Sequence, residues 1–321
     1  MRSVGYVLLI ALPLSICAGC DKDEALSGSN DNRVSFDVRV AGMDGQVQTR
    51  GTLKNNTSSS QTFDTSDSFK LISWKGSDPF YPATTSGGSA EIKYDKSNSR
   101  WQPADSPQWP ASGNVTFYAA SNLPSSGASW TSSSAASATL SYAVPDYASA
   151  QTDILMGCYS GTGNGGVVEF TFYHPLTALM FKKGTFENAS STIDFKKITV
   201  SGVYASGTAT QAVSGGGSVF TWTPGGSTKT VQLLPSGASY INVTSDVIGE
   251  PFLLIPQTLS SSASVTITVE AKIDGTTDVT FAKTLSSGEW KAGYINTYTL
   301  GFTFGTGYLA SGNSGQDGGQ L

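Results

Sequence analysis

The chain has 321 residues, of which 38% are hydrophobic and 13% are charged, so it has room for two domains of roughly 150 residues, each with its own core. The net charge of -5 and the pI near 4.9 argue against a nucleic-acid partner, which would require a basic patch. One histidine and three cysteines are too few for a histidine-rich or cysteine-rich metal site, and no cofactor is expected.

Residues 1–19 predict a lipoprotein signal peptide. An apolar stretch over residues 4–16 is too short to span a bilayer as a mature helix, and it ends in Cys17-Ala-Gly-Cys20. Small residues directly before a cysteine resemble a bacterial lipobox, which makes Cys20 the candidate lipidation site. Cys17 departs from that motif, which usually has Leu, Val or Ile there. An ordinary secretory signal, cleaved near Ala18, is the alternative.

Residues 20–32 are interpreted as a tether. The run Asp21-Lys-Asp-Glu24 resembles the export tag that moves some Bacteroidetes lipoproteins to the outer face of the outer membrane. If Cys20 carries lipid, Cys158 is the only thiol left in the mature protein, and an intramolecular disulfide is impossible.

A first β-sandwich domain is predicted over residues 33–174. It begins with the alternating apolar residues Val34, Phe36, Val38 and Val40, the period-two pattern of a strand with one buried face. Residues 121–139 are rich in serine and alanine and are predicted to form a long surface loop. Further short strands are expected around residues 69–74, 92–94, 100–101 and 115–120.

The middle of the chain predicts a domain junction. Residues 168–173 alternate as a strand, and His174-Pro175 then interrupts the pattern because proline lacks a backbone N–H to donate. A second β-sandwich is predicted over residues 175–304, from apolar runs separated by Gly, Ser and Asp turns. Residues 305–321 are glycine-rich and are expected to form a flexible tail.

Several segments, in this order, resemble the fimbrillins of Bacteroidetes, the type V pilus subunits. They are the lipoprotein signal, Gln48-Thr-Arg-Gly-Thr52, Val115-Thr-Phe-Tyr-Ala119, Gln151-Thr-Asp-Ile-Leu155 with the 168–181 block, Phe252-Leu-Leu-Ile-Pro-Gln257 and Trp290-Lys-Ala-Gly-Tyr-Ile-Asn-Thr-Tyr298. The resemblance implies an all-β fold of two tandem transthyretin-like β-sandwiches after the signal peptide. It also implies a surface lipoprotein of the outer membrane that enters a fimbria after maturation and contacts other fimbrial subunits.

The resemblance further implies a processing step. In fimbrillins an arginine-specific protease cuts the precursor, which releases the first strand and opens an apolar groove for a strand donated by another subunit. The matching bond here is Arg50–Gly51, and the released strand would carry Val34, Phe36, Val38 and Val40. Burying four such side chains is worth on the order of 6 to 12 kcal/mol. A solvated loop arginine is the alternative interpretation of Arg50.

The donor strand has two interpretations. Tyr298, Leu300, Phe302 and Phe304 alternate with polar or small residues, so this strand could fill a groove with four pockets. It could instead be the closing strand of the second sandwich. Donating fimbrillins usually continue with another apolar strand, whereas this chain continues with residues 305–321, which leaves room for a terminal or accessory subunit.

Two other functions are weighed against a pilus subunit. An enzyme would need a nucleophile beside His174, and none is marked; Asp146 and Asp153 could converge as a carboxylate pair, although acids at strand ends are usually solvated. A surface lipoprotein that never polymerises, serving as a pilus anchor or as an adhesin for a host glycan or protein, could stack sugars on exposed tryptophans. Its candidates are Trp101, Trp109 and Trp130, although tryptophan in a sandwich is more often part of the core.

Overall fold

The structure is a computed structural model that describes residues 32–41, 61–63, 65–83, 88–97, 99–105, 107–162, 166–186, 191–214, 217–303 and 306–312. From Asn32 onward the chain forms one compact unit. The predicted signal peptide, most of the tether, Cys20, Arg50 and Gly51 lie outside the described residues. Within those residues, no helix combines the length and the apolar character needed to cross a membrane.

The fold is all-β, which confirms the predicted class. Before His174, one 3-10 helix covers Ala148–Ala150, and the chain forms the strands β1 Ser35–Val40, β2 Gln61–Thr62, β3 Ser68–Lys75, β4 Asp78–Tyr81, β5 Ala90–Asp95, β6 Arg100–Gln102, β7 Asn114–Ser121, β8 Ala128–Ser134, β9 Ser137–Ala143, β10 Leu155–Thr162 and β11 Val167–Tyr173. The alternation of apolar and polar residues in β1 and β11 becomes an alternation of buried and exposed side chains.

After His174 the chain continues as strands separated by turns. They are β12 Thr177–Phe186, β13 Ile193–Tyr204, β14 Ser206–Ser214, β15 Gly217–Pro224, β16 Thr228–Leu233, β17 Val243–Thr244, β18 Val247–Ile248, β19 Phe252–Leu254, β20 Gln257–Leu259, β21 Val265–Ile273, β22 Thr277–Leu285, β23 Gly288–Trp290, β24 Ile295–Thr303 and β25 Thr306–Gly312. Left-handed turn residues such as Gly275 (φ 65°) and Asp274 (φ 49°) join β21 to β22.

A nine-stranded sheet contains all the strands before His174 except β8 and β9. Its strands follow the order β11-β10-β7-β3-β5-β6-β1-β2, with β4 paired to β3. An additional pairing joins β1 to β11, so the path of hydrogen-bonded strands closes on itself through β1. β1, the first strand of the part of the chain that the structure describes, therefore fills the gap between β6 and β11.

The strands after His174 build two further large sheets. One has the order β17-β18-β12-β24-β25, with β19 paired to β12, and the other has the order β16-β13-β21-β22. β11 and β12 are separated only by residues 174–176 and belong to different sheets. The division into sandwich domains at residue 174 stays a prediction.

A four-stranded sheet corrects the expectation of a surface loop over residues 121–139. β8 and β9 form a hairpin, and β9 pairs with β14, which in turn pairs with β15. Trp130 on β8 is only 8% exposed. The hairpin was missed because its serines, threonines and alanines carry little apolar signal, and its pairing partner lies about 70 residues away in the sequence, at for example Thr139↔Thr210.

The end of the chain supplies a second correction. Residues 306–312, expected to be part of a flexible tail, form β25, which pairs antiparallel with β24 along Thr303↔Thr306 to Thr297↔Gly312. Glycine weakens strand propensity, so the composition of this segment favoured a loop. Pairing with the apolar strand β24 stabilises this segment as a strand, which its own sequence does not favour.

Buried hydrophobic residues form two clusters on opposite faces of β10. The aromatic-rich cluster around β1 includes Leu155 of β10, whereas Met156 and Cys158 of the same strand belong to the larger cluster, which extends to Leu300. The smaller cluster is called the groove cluster below, because the four apolar residues of β1 occupy it. Removing β1 would therefore open one cluster and leave the other intact.

Candidate functional site

The candidate site is the groove that β1 occupies. β1 runs parallel to β11 in the register Ser35↔Val167 to Val40↔Phe172. On its other side it runs antiparallel to β6 through Phe36↔Trp101 and to β2 through Arg39↔Thr62. A strand with neighbours on both sides leaves two unpaired edges behind when it departs, and such edges bind another strand readily.

Val34 and three side chains of β1 fill four positions in the groove. Val34, Phe36, Val38 and Val40 are each at most 1% exposed, whereas Asp37 and Arg39 face solvent. The last two lie 3.8 Å apart in an exposed ion pair, which contributes little to stability. The sequence-predicted plug residues are thus all brought together on one buried face.

Phe36 is the aromatic anchor of the strand. Its ring stacks on Phe170 at a centroid distance of 5.4 Å, and it meets Phe117 and Phe69 edge-on at 5.7 and 5.9 Å. Such aromatic pairs add about 0.5–1.5 kcal/mol each beyond the burial of their area. The groove is therefore shaped most strongly for an aromatic side chain at this one position.

The loop over residues 107–109 holds the start of β1. The Val34 amide donates to the Pro107 carbonyl at 2.8 Å, and the Trp109 amide donates to the Asn32 carbonyl at 2.7 Å. The Trp109 indole donates to the Gly166 carbonyl at 3.0 Å, just before β11. This loop therefore ties the start of β1 to the start of β11.

His174 lies at the other end of the groove. Its Nδ1 is 2.8 Å from Asp153 Oδ1, and its Nε2 is 3.1 Å from the carbonyl oxygen of Ala41, the residue that follows β1. His174 and Asp153 are each 2% exposed. His174 is thus a packed residue, and its link to the end of β1 was not predicted. A polar residue before a proline in an apolar strand was the only signal in the sequence.

The remaining polar candidates have separate structural partners. Asp146, proposed as a possible carboxylate partner of Asp153, forms an ion pair with Lys229 and is 62% exposed. Gln151 accepts a hydrogen bond from the Leu253 amide and donates to the Pro145 carbonyl, so it joins the segment before β10 to β19. Among the described residues, no group of three or more His, Cys, Asp or Glu could hold a metal ion.

The tryptophans expected to offer a sugar-stacking surface are buried. Trp101 and Trp109 are each 5% exposed and Trp130 is 8% exposed, so all three belong to the core, the alternative that the sequence favoured over sugar stacking. Trp101 packs against Phe63 and Phe69 in the groove cluster. Their apolar area contributes more to the cores than it could at a wet surface.

Cys158 is a free, buried thiol on β10. Its Sγ lies 3.2 Å from Ser218 Oγ on β15. Burial raises the pKa of this thiol, and the Ser218 hydrogen bond opposes that shift. Burial likewise raises the pKa of Tyr118, on the neighbouring strand β7, to about 12. A raised pKa keeps the cysteine in its unreactive thiol form at neutral pH.

The second strand singled out by sequence occupies the centre of its own sheet. β24 runs parallel to β12 and antiparallel to β25. Tyr298 is 7% exposed and Leu300 is fully buried in the larger cluster. Phe302 lies on β24, opposite Gly307 of β25, and Phe304 falls outside the described residues. This position matches the closing-strand interpretation of β24.

A model of the fimbrillin-like family matches residues 49–313. The chain belongs to the fimbrillin-like family. The match begins after the end of β1 and just before the predicted Arg50–Gly51 bond. Family membership confirms the resemblance drawn from the sequence, supports the role of a fimbrial subunit, and indicates a structural protein of a cell-surface appendage. No curated protein matches the sequence.

Solved structures that are similar to this chain come from Bacteroides species. A protein from Bacteroides ovatus assigned to cell adhesion matches with a TM-score of 0.53 at 13% identity, over 88% of this chain and 97% of that one. One from Bacteroides uniformis, also assigned to cell adhesion, matches with a TM-score of 0.50 at 16% identity, over 88% and 98%. A fimbrial protein from Bacteroides vulgatus matches with a TM-score of 0.49 at 13% identity, over 87% and 98%.

Proposed function

We propose that this fimbrillin-like chain is a structural and adhesive subunit of a cell-surface fimbria, in which β1 is a removable plug. The chain is exported as a lipoprotein, anchored in the outer membrane through Cys20. Cleavage between Arg50 and Gly51 separates the anchor and β1 from the rest. A strand from another fimbrial subunit then occupies the groove, and the chain acts without catalysis.

The observation that carries this proposal is the position of β1 in its sheet. β1 joins β6 to β11, it is the first strand among the described residues, and the family match begins after it. One cut in the segment that follows residue 41 would therefore free the strand without breaking any other connection. Four buried side chains, worth on the order of 6 to 12 kcal/mol, keep it in place until then.

The free energy for assembly would come from the emptied groove. Without β1, aromatic rings such as Phe69, Phe117 and Phe170 and the edges of β6 and β11 lose their cover. A donated strand that restores the same burial and main-chain hydrogen bonds recovers that free energy without a nucleotide. Exposed apolar grooves outside the cell thus act as stored driving force.

The donor remains a choice between the last two strands. Donation of β24, with Tyr298, Leu300, Phe302 and Phe304, would remove a central strand and buried side chains from its own sheet. β25 is an edge strand that pairs with β24, so its release costs one ladder. Synthetic peptides of residues 296–304 and 306–313, tested separately for binding to the plug-free subunit, would distinguish the two.

The alternative is a lipoprotein that keeps β1 and serves as an anchor or binds a host glycan or protein. The burial of Trp101, Trp109 and Trp130 removes the aromatic surface on which glycan binding had been argued. The closed seam is compatible with a permanently anchored form.

The N-terminus of the protein on the cell surface tests the proposal. Intact mass and N-terminal sequencing of the surface fraction should give a chain that starts at Gly51. A chain that starts at acylated Cys20 in the assembled fraction would refute plug removal and favour the anchored alternative. An Arg50→Gln variant serves as the control, because it should retain residues 20–50 and stay out of the polymer.

A further inference from the structure

His174 touches the groove where its occupying strand ends. Nε2 faces the Ala41 carbonyl at 3.1 Å, and Nδ1 faces Asp153 at 2.8 Å. The Ala41 amide also donates to the Phe172 carbonyl at 2.8 Å, so the backbone of Ala41 is held on both sides. Ala41 makes both of its contacts through the backbone, one through its carbonyl and one through its amide, and not through its side chain.

The two contacts require a particular proton count. A neutral imidazole has one N–H, and a backbone carbonyl can only accept, so Nε2 must carry the proton that reaches Ala41. Nδ1 then needs a second proton between itself and the Asp153 carboxyl group, whichever of the two holds it. Asp153 fixes the orientation of the ring, with Nε2 facing the Ala41 carbonyl at the end of the groove.

We propose that His174, oriented by Asp153, is a positioning residue, called the clamp below. It binds the main-chain carbonyl at the end of any strand in the groove, first that of β1 and then that of the donated strand. This inference rests on the proposed function, since it extends the contact with β1 to its replacement. Recognition of a main-chain carbonyl suits that exchange, because every strand offers one whatever its sequence.

The contact with His174 would hold the end of the inserted strand, whereas its register depends on the side-chain pockets. A slip of one residue turns every apolar side chain of a strand toward solvent, and a slip of two moves each into its neighbour's pocket. Val34, Val38 and Val40 have the same side chain. Three of the four pockets therefore discriminate poorly between the correct register and a slip of two residues. Phe36 among its aromatic neighbours is therefore the feature that discriminates register, and the His174 contact adds affinity for whichever carbonyl lies at the end of the groove.

The test uses the secreted full chain with a protease site at Arg50–Gly51, cut in solution and then offered labelled peptides that compete with the plug. One peptide is residues 33–41 with a C-terminal amide. The other is residues 33–40 as an ethylamide, which keeps the N–H that Ala41 donates to Phe172 but lacks the Ala41 carbonyl. Fluorescence anisotropy gives the affinity of each peptide for the wild type and for His174→Phe.

The wild type should bind the carbonyl-bearing peptide about tenfold or more tightly than the ethylamide, and His174→Phe should bind the two about equally. A merely structural role of His174 would weaken both peptides alike and leave their ratio unchanged. If the wild type binds the two peptides equally, the clamp is overturned even if the variant does not fold. The clamp is also overturned if His174→Phe keeps the wild-type ratio of the two affinities.

The same experiment separates the clamp from the groove itself. Entry of both peptides with equal affinity leaves the removable plug standing and overturns only the clamp. If neither peptide enters the cut chain and the plug is retained, the removable-plug proposal fails, and the clamp on a donated strand fails with it.

Discussion

Two strands from opposite ends of the described chain have nearly the same design. β1 and β24 both alternate apolar with polar or small residues, both lie between two neighbours, and each runs parallel to one of the strands on either side of His174-Pro175, β1 to β11 and β24 to β12. They differ in how the chain connects them. β1 has no strand before it among the described residues, whereas β24 is joined to β23 before it and to β25 after it.

This difference shows that burial alone does not decide which strand is removable. Val38 in β1 and Leu300 in β24 are both fully buried. One cut in the segment after residue 41 detaches β1, but β24 stays attached at both ends unless two connections change. Connectivity, rather than hydrophobicity, is therefore what favours β1 over β24 as the proposed plug.

The largest effect is expected from a charge in the groove. Val38→Asp should destabilise the uncut chain by more than about 4 kcal/mol, because an unpaired carboxylate would replace a fully buried side chain. The thermal midpoint of the secreted chain measures this. Asp37→Asn, on the exposed side of the same strand, should change stability by less than about 0.5 kcal/mol. An unchanged midpoint for Val38→Asp would show that β1 is not part of the core.

Truncating one residue in each strand sharpens the comparison. Phe36→Ala should cost about 3–5 kcal/mol of plug binding, so β1 should leave the cut chain at least about a hundredfold faster. Leu300→Ala should cost about 2–5 kcal/mol of unfolding free energy and leave the rate of plug release nearly unchanged. Release is followed with a label on the plug, and unfolding with denaturant. Faster release in Leu300→Ala would show that the two strands belong to one cooperative unit.

The smallest effect is expected at Cys158. This thiol belongs to the larger cluster, on the face of β10 that points away from the groove, and burial raises its pKa. Because the thiolate is the reactive form, alkylation of the folded protein at pH 8 should be slow. Removing the plug should change the rate by less than about twofold if only the groove cluster opens. A large increase would mean that departure of β1 also loosens the second cluster.

The sequence predicted the parts whose signal is local. The alternation in β1 and in β11 identified those strands, because a half-buried strand imposes period two. The β8–β9 hairpin and β25 were missed, since both depend on partners far along the chain and carry few apolar residues.

The site was predicted only in part for a similar reason. The four plug residues follow from their spacing, but the parallel pairing with β11, which closes the seam, is a tertiary contact. The His174–Asp153–Ala41 link joins three segments of the chain, and no local pattern announces it. The position of His174-Pro175 between two strands was visible, and its contact with the plug was not.

A disulfide lock tests the removable plug most directly. Asp37 and Glu169 are exposed partners in the parallel register of β1 and β11, so Asp37→Cys with Glu169→Cys should cross-link the plug to its groove. The control joins β14 to β15 through Thr210→Cys with Thr221→Cys, an exposed pair on two strands that are neither the plug nor a candidate donor. Oxidised, the first variant should fail to polymerise after processing and recover on reduction, while the control polymerises in both states. Polymerisation by the oxidised Asp37–Glu169 variant at the wild-type rate would contradict the account.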